Sequence, residues 1–396
     1  MAGTVTLTVG ALLWCACAWL LTRTSVPPLS LGGLDAHRYF TSAALRRTAQ
    51  YARGEQILWL AATASMLIAL SVLAWRLPRI VRGMRRGRVV RAIFVAVVLV
   101  VTLWFVGLPF SLADLWWQYH WGLGPFDVLA WLEAQWALAP RAIAVVVAIV
   151  LLVVLAGRFR QRWWLVATPV LVAIAALYAF GSTYLPGGSS HPLRNPGLRA
   201  DAVRLERIEH VSGTPVGVED VSSWTNQANA FTDGFGPSAR VTVWNTLVDG
   251  RFSRGEVDVV LAHEFGHVGS RHVLKALGWA ALVVGPTLWL LAFATRRRGG
   301  LGEPANVPFA VLLLAVLSLG AAPFVNAVSR RYEAEADWRA LNATRDPTSA
   351  RKLFQTFERT SLEQPSPGLL DYLWLENHPT LLQRIAMADR WQERHR

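Results

Sequence analysis

Hydrophobic residues fall into seven long stretches, at 5–21, 57–75, 92–110, 142–156, 163–180, 276–295 and 307–325. A helix needs about 17–25 residues to cross a hydrocarbon core, so each reads as a membrane span, the fourth being the shortest. No Lys or Arg precedes the first stretch and no clean Ala-x-Ala site follows it, which predicts a retained anchor rather than a cleaved leader. Polar sequence collects in two islands, 181–274 and 326–396, which share one membrane side if all seven stretches cross. The pattern predicts a mainly α membrane protein in four parts. Spans one to five occupy 1–180, a first polar part 181–274, spans six and seven 275–325, and a second polar part 326–396.

In the first island, Pro186-Gly187-Gly188-Ser189-Ser190 predicts a loop and the segment 198–211 a helix. Segments 221–231 and 241–247 predict strands on either side of the turn-forming Thr232-Asp233-Gly234-Phe235-Gly236-Pro237. Ser253-Arg254-Gly255-Glu256 has the form of a capping box, which starts a helix about two turns before His263. That helix carries His263-Glu264-Phe265-Gly266-His267 and is expected to run straight on into the sixth span. Histidines four residues apart share a helix face. Both imidazoles can therefore meet one Zn²⁺ at roughly 2.0–2.1 Å. Glu264 is placed to take a proton from water without being a ligand. His272 lies about 140° around a continuous helix from His267, so it is not expected to serve the same metal.

A catalytic zinc takes three protein ligands and keeps one position open. Just past the last span, Ser329-Arg330-Arg331-Tyr332-Glu333-Ala334-Glu335-Ala336-Asp337 is the strongly acidic helical segment on the same side. Glu333 and Asp337 share a face, whereas Glu335 points away. One of the pair can ligate the metal while the other accepts a hydrogen bond from a ligand imidazole and fixes its ring.

Composition agrees with a membrane protein: 53% of residues are hydrophobic, 16% are charged and mean hydropathy is +0.34. The net charge of +13 would suit nucleic acid, but thirteen arginines crowd three connectors on the N-terminal side of the spans. They are Arg76, Arg79, Arg82, Arg85, Arg86, Arg88 and Arg91; Arg158, Arg160 and Arg162; and Arg296, Arg297 and Arg298. The positive-inside rule places that side in the cytoplasm and both polar islands outside it. Trp116, Trp117, Trp121, Trp163 and Trp164 fit interfacial belts better than a base-stacking platform. The expected partners are thus the lipid bilayer and a peptide or protein substrate, not nucleic acid; no signal of oligomeric state is present. Cys15 and Cys17 are the only cysteines, and at i, i+2 on one helix they face apart, which argues against a mutual disulfide. Arg in place of Lys, with abundant Ala and Val, suggests a GC-rich bacterial genome.

At these motifs the chain resembles the integral-membrane zinc metalloprotease family that contains the type 1 CAAX prenyl protease and the heat-shock protease HtpX. The resemblance covers roughly residues 105–390 and is strongest from about 190 onward. In that family a first motif, matched by His263, Glu264 and His267, supplies two zinc ligands and the general base. A second, Ser-Arg-x-x-Glu-x-x-Ala-Asp, is matched by Ser329, Arg330, Glu333, Ala336 and Asp337; it implies Glu333 as third ligand and Asp337 as the orienting partner. Asn229-Ala230-Phe231 matches an edge strand that pairs with the substrate backbone. Asn377-His378-Pro379 with Arg384 resembles a late motif whose His and Arg help bind the scissile carbonyl. Seven spans bring the chain closer to the CAAX-protease branch. That implies a seven-span transmembrane helical barrel around a chamber, with a zincin-like metalloprotease domain that includes a small β-sheet. One departure is sidedness: eukaryotic relatives direct their catalytic parts to the cytosol. Prenylated substrates would also be scarce in a bacterium, so that substrate is not carried over.

The resulting expectation is a membrane-embedded zinc endopeptidase for membrane-associated or unfolded polypeptides. One Zn²⁺ per chain is held by His263, His267 and Glu333, with Glu264 as general base. Asp337, His378 and Arg384 assist, and Asn229, Ala230 and Phe231 hold the peptide extended. Two other readings stay open: a quality-control protease for damaged membrane proteins, and a non-catalytic zinc-containing sensor. Glu264 argues against the second, because a structural site has no use for a base. The lack of ionisable residues within the spans argues against a transporter.

Overall fold

The structure is a computed structural model that describes residues 2–29, 31, 34–184 and 190–396, with side chains from residue 8. The expected loop at 186–190 lies, apart from Ser190, outside the described residues. Apolar sequence forms α1 (Ala2–Leu21), α2 (Ser42–Gly83), α3 (Arg88–His120), a short α4 (Val128–Ala137), α5 (Ala139–Phe159) and α6 (Trp163–Gly181). The first polar island builds β1 (His191–Pro192), α7 (Pro196–Ile208), β2 (Val216–Glu219), β3 (Ala230–Asp233), β4 (Arg240–Trp244) and α8 (Arg254–Gly269). Two further apolar helices follow, α9 (His272–Thr295) and α10 (Val307–Thr344), and then α11 (Pro347–Ser361), α12 (Leu369–Trp374) and α13 (Leu381–Arg394).

Five apolar helical runs among the described residues are long enough to cross a membrane: Ser42–Gly83, Arg88–His120, Val128–Tyr184, His272–Arg298 and Pro304–Thr344. The third run is not one rod. Arg160 takes φ 52°, ψ −120°, which turns the chain so that α5 and α6 pack on each other. Each of the seven apolar stretches thus has its own helix, in α1, α2, α3, α5, α6, α9 and α10. Neighbours close a ring: α10 packs on α2, α2 on α3, α3 on α5, α5 on α6, α6 on α9, and α9 back on α10. The helix α1 leans on α9. Ile68, Val72, Phe105, Ile143 and Leu177 are exposed on this ring, a distribution that suits lipid and not water. Its buried positions gather at the arginine-rich end, where Leu77, Val81, Val95, Trp163, Leu291 and Val307 form one cluster.

A second core holds the site. Val259, Leu261, Ala262 and Phe265 of α8 pack with Trp338 and Leu341 of α10, Val241 and Val243 of β4, Leu353 of α11 and Ile385 of α13. The capping box forms as predicted: the Ser253 N–H donates to Glu256 Oε2 at 2.8 Å and the Glu256 N–H to Ser253 Oγ at 3.4 Å. The sheet runs β1-β2-β4-β3, with β2 parallel to β4 and β3 antiparallel to it, Ala230 opposite Val243 and Phe231 opposite Thr242. That makes β3 an edge strand, as the resemblance implied.

Three expectations are corrected. The strand predicted over 221–231 is instead β2 before it and β3 at its end. Between them the N–H groups of Trp224 and Thr225 close a turn on the Val221 carbonyl, and the Asn226 N–H donates to Leu123 O beyond α3, so no ladder forms. The strand predicted over 241–247 ends at Trp244, followed by a 3₁₀ turn over Asn245–Leu247. The zinc helix does not run into span six. Its last turn reaches the poor helix formers Gly269 and Ser270, and Arg271 then adopts a left-handed conformation (φ 56°) that restarts the chain as α9. Conversely, α10 is continuous from its apolar half into the acidic segment, so Glu333 and Asp337 are mounted on the extension of a membrane helix.

Candidate active site

The packing of α8 on α10 brings His263, His267 and Glu333 together. His263 Nε2 lies 3.1 Å from Glu333 Oε2 and 3.0 Å from His267 Nε2, and the third side, His267 Nε2 to Glu333 Oε2, is 3.4 Å. An ion with tetrahedral bonds of about 2.0–2.1 Å separates its ligands by roughly 3.3 Å, so this triangle fits one zinc-sized ion. The donor chemistry agrees. Two imidazole nitrogens and a carboxylate oxygen aimed at one point would repel unless a cation or a proton lies between them. Burial alone would lower the His263 pKa, but hydrogen bonds to Asp337 and Glu333 push it up to about 10, so a metal here displaces a proton.

Each imidazole is fixed from behind. Asp337, buried on α10, accepts from His263 Nδ1 at 2.8 Å. Asp337 is in turn clamped by Arg384 of α13, whose Nε and Nη2 donate at 2.8 and 2.7 Å. Two of Arg384's nitrogens are therefore committed to orienting Asp337. The other imidazole of the triangle, His267, is held through a residue that the sequence reading set aside. His272 Nδ1 lies 2.8 Å from His267 Nδ1, and His272 Nε2 lies 3.1 Å from Glu335 Oε2. Glu335 also accepts from Lys275 Nζ at 2.9 Å and from the Ser25 N–H at 2.7 Å. The His272 ring stacks on Tyr332 at 4.7 Å. The turn at Arg271 makes this possible, because it brings back a side chain that a continuous helix would carry away. Glu335 points away from the metal triangle as expected, yet it is buried and occupied rather than idle.

Glu264 is buried beside the triangle, and its Oε2 accepts from Thr232 Oγ1 at 2.8 Å. The same hydroxyl reaches the Glu264 backbone carbonyl at 3.1 Å, which ties the edge strand to the helix. Thr232 carries no recognisable signal in the sequence. His378 Nε2 sits 3.1 Å from Glu333 Oε2, so a third imidazole reaches the centre from the segment before α13.

His263, Glu264, Asp337, His378 and Arg384 border a cavity of about 270 Å³ whose walls include Asn229 and Ala230, Val259 and Val260, Leu353 and Phe357, and Glu363 and Glu376. Of the expected strand residues, Asn229 and Ala230 line this cavity and Phe231 does not. Burial raises the pKa of both Glu363 and Glu376, the latter to about 7. Sequence reading missed this pair, which lies outside every motif.

Residues 192–392, just over half of the chain and including every group named above except Ser25, match the model of peptidase family M48. The chain belongs to peptidase family M48. Among curated proteins it is similar to an uncharacterized metalloprotease, YhfN of Bacillus subtilis, 27% identical over 246 residues, 59% of this chain and 58% of that protein. A protease HtpX homolog of Methylibium petroleiphilum is 29% identical over 161 residues, 40% of this chain and 54% of its own length. The chain thus spans little more than half the length of the curated relatives it matches. In overall fold it is similar to the crystal structure of S. mikatae Ste24p, with a TM-score of 0.73, 17% identity and coverage of 98% and 97% of the two chains. The M48 match and the ring of apolar helices together describe a multi-pass membrane protein of a peptidase family, with a candidate metal site at His263, His267 and Glu333.

Proposed function

We propose that this M48 member is a zinc-dependent endopeptidase that cleaves extended peptide segments of membrane-associated or unfolded proteins. The observation that carries the reading is Glu264 held against the triangle of His263, His267 and Glu333 while it lines a cleft edged by β3. Zinc held by those three side chains would supply Lewis-acid polarisation and a lowered pKa for water. The protein's own groups do the rest. Glu264 takes the proton of the attacking water and passes it to the leaving amine, and Thr232 holds the carboxylate in register for both transfers. Asn229 and Ala230 present the open edge of the sheet, where a substrate backbone can add as a further strand with little demand on its sequence. His378, the less encumbered of the two late-motif residues, donates to the oxyanion; Arg384 acts through Asp337. The lipid-facing ring keeps this centre at the membrane, so membrane-borne chains are the natural class of substrate.

Casein digestion by purified protein, with and without a chelator, tests the activity. Chelator-sensitive cleavage that zinc restores supports it. A zinc-loaded protein with no endopeptidase activity on casein or on unfolded membrane proteins would favour a zinc-containing sensor instead.

A further inference from the structure

The catalytic groups all lie at one end of the ring. The other end is about 36 Å away, the length of the 24-residue α9. There the helix termini enclose a cleft of about 650 Å³, larger than the catalytic one. Four arginines line it: Arg88 in the first turn of α3, Arg160 and Arg162 in the turn from α5 to α6, and Arg296 just past α9. Glu303 is the one carboxylate in this lining, and it already pairs with Arg91 at 3.0 Å. Among the described residues none of the four lining arginines has a carboxylate partner; Arg296 stacks on Phe293, 4.0 Å from its centroid.

The backbone adds to the positive field. Both α3 and α6 begin here with no side-chain cap and no acidic residue in the first turn, which leaves N–H groups and the positive ends of two helix dipoles facing this end. Arg160 holds φ 52°, ψ −120°, a conformation that favours glycine, so the charge stands where the backbone least welcomes a side chain. A side chain at Gly157 would collide with the Arg88 guanidinium, and one at Gly302 with the Gly157 backbone. The two glycines therefore keep the cleft open for that guanidinium and let the loop between α9 and α10 close on α5. Val89, Phe159 and Leu165 are exposed at the adjoining helix ends, where acyl chains would lie.

We propose that this arginine cleft binds phosphate groups, and that its occupant is the headgroup phosphate of an anionic phospholipid. Guanidinium forks match phosphate oxygens in bidentate fashion. An anion between them relieves the mutual repulsion of four charges and pins α3, α5, α6 and α9 at the arginine-rich end of the ring. A position at the ends of lipid-facing helices favours a lipid over a soluble phosphate.

The test is native mass spectrometry of the detergent-purified full chain, titrated with phosphatidylglycerol or with phosphatidylcholine. Preferential retention of phosphatidylglycerol is expected. It should fall at least about tenfold in Arg88→Gln/Arg160→Gln/Arg162→Gln, since each basic group near an anionic headgroup contributes severalfold. Arg160→Gly, which loses the charge but eases the backbone, should also weaken retention with no loss of melting temperature; it keeps the test meaningful if the triple variant fails to fold. Arg76→Gln/Arg79→Gln/Arg82→Gln, on the same face but outside the cleft, should retain the lipid like the parent protein. Millimolar inorganic phosphate separates the sources. Displacement of the lipid shows that free phosphate fits the site, and no displacement assigns it to the phospholipid. Equal retention of both lipids by the parent chain, or equal losses in the cleft and control variants, would overturn the proposal.

Discussion

Nδ1 of His272 lies 2.8 Å from Nδ1 of His267, although the two residues are five apart and would diverge on an unbroken helix. One proton arrangement satisfies the whole chain of contacts. Glu335 accepts from His272 Nε2–H, which leaves His272 Nδ1 to accept from His267 Nδ1–H and His267 Nε2 free for a metal. The two imidazoles of the triangle are thus supported differently, one directly by a carboxylate and the other through a second imidazole.

This relay yields the first prediction. His272→Ala should weaken zinc affinity roughly 10–100-fold, and Glu335→Ala should weaken it in the same direction, because both leave His267 free to rotate or change tautomer. From sequence, Glu335 is placed only as pointing away from the face that Glu333 and Asp337 share. Competition with a fluorescent chelator measures both. Wild-type affinity in the two variants would show that the relay only packs.

Glu264→Gln should keep stoichiometric zinc and lose activity by a factor of about 10²–10⁴, the usual cost of removing a general base. Thr232→Val should retain zinc and lower kcat with little change in KM, since it releases the carboxylate but leaves the cleft intact. Metal analysis beside casein turnover checks both, and a Glu264→Gln enzyme within about tenfold of the parent would rule out this assignment of the base.

Glu333→Ala should lose zinc and activity together, because it removes one corner of the triangle. Asp337→Ala should lower affinity roughly 10–100-fold while leaving some binding, since it frees the His263 ring and strands the buried Arg384 guanidinium. Zinc retention by Glu333→Ala would transfer the third corner elsewhere, with His378 the nearest alternative.

What could be read without the structure was what depends on local spacing. His263 and His267 share a face because four residues make about one helical turn, and Ser253 with Glu256 announces where that helix starts. Glu333 and Asp337 could be paired by spacing, but assigning one as ligand took the resemblance. The parts that escaped depend on contacts distant in sequence. The loop between β2 and β3 is fixed by Leu123, about a hundred residues away. The strand β2 was hidden by Gly217 and by Pro215 before it. Thr232, His272 and Glu335 matter through tertiary partners, and no periodicity marks them. Arg271 decides the fate of His272 through a single dihedral angle.

Glu376 supports a pH prediction. Burial, reinforced by Glu363, raises its pKa to about 7, above the 4.5 of a free glutamate. Its favourable contribution is full below about pH 4.5 and is lost as pH rises through 7, where the buried carboxyl must ionise. Glu376→Gln should therefore be nearly neutral at pH 5 and stabilising at pH 8, by on the order of 1–3 kcal/mol. Melting curves of the two proteins should separate between those pH values. Parallel curves would mean that Glu376 ionises freely in the folded protein.

The final prediction concerns which way the molecule faces. Thirteen arginines, against the single carboxylate Glu303, lie at one end of the ring in the connectors around Arg76–Arg91, Arg158–Arg162 and Arg296–Arg298. Connectors 23–56 and 111–141 hold only six arginines, offset by Asp35, Glu55, Asp114, Asp127 and Glu133. Short-loop arginines orient spans, whereas long polar parts such as 181–274 count little. Moving those clusters across the membrane would oppose both the potential and the anionic inner leaflet. The arginine end should therefore face the cytoplasm and the metal centre the outer side. Single cysteines at Ser190 and Arg298, in a background lacking Cys15 and Cys17, report the two ends directly. On intact cells a membrane-impermeant maleimide should label position 190 and spare 298. The reverse pattern would put the metal centre in the cytoplasm, and the arginine bias would then have failed to set the topology.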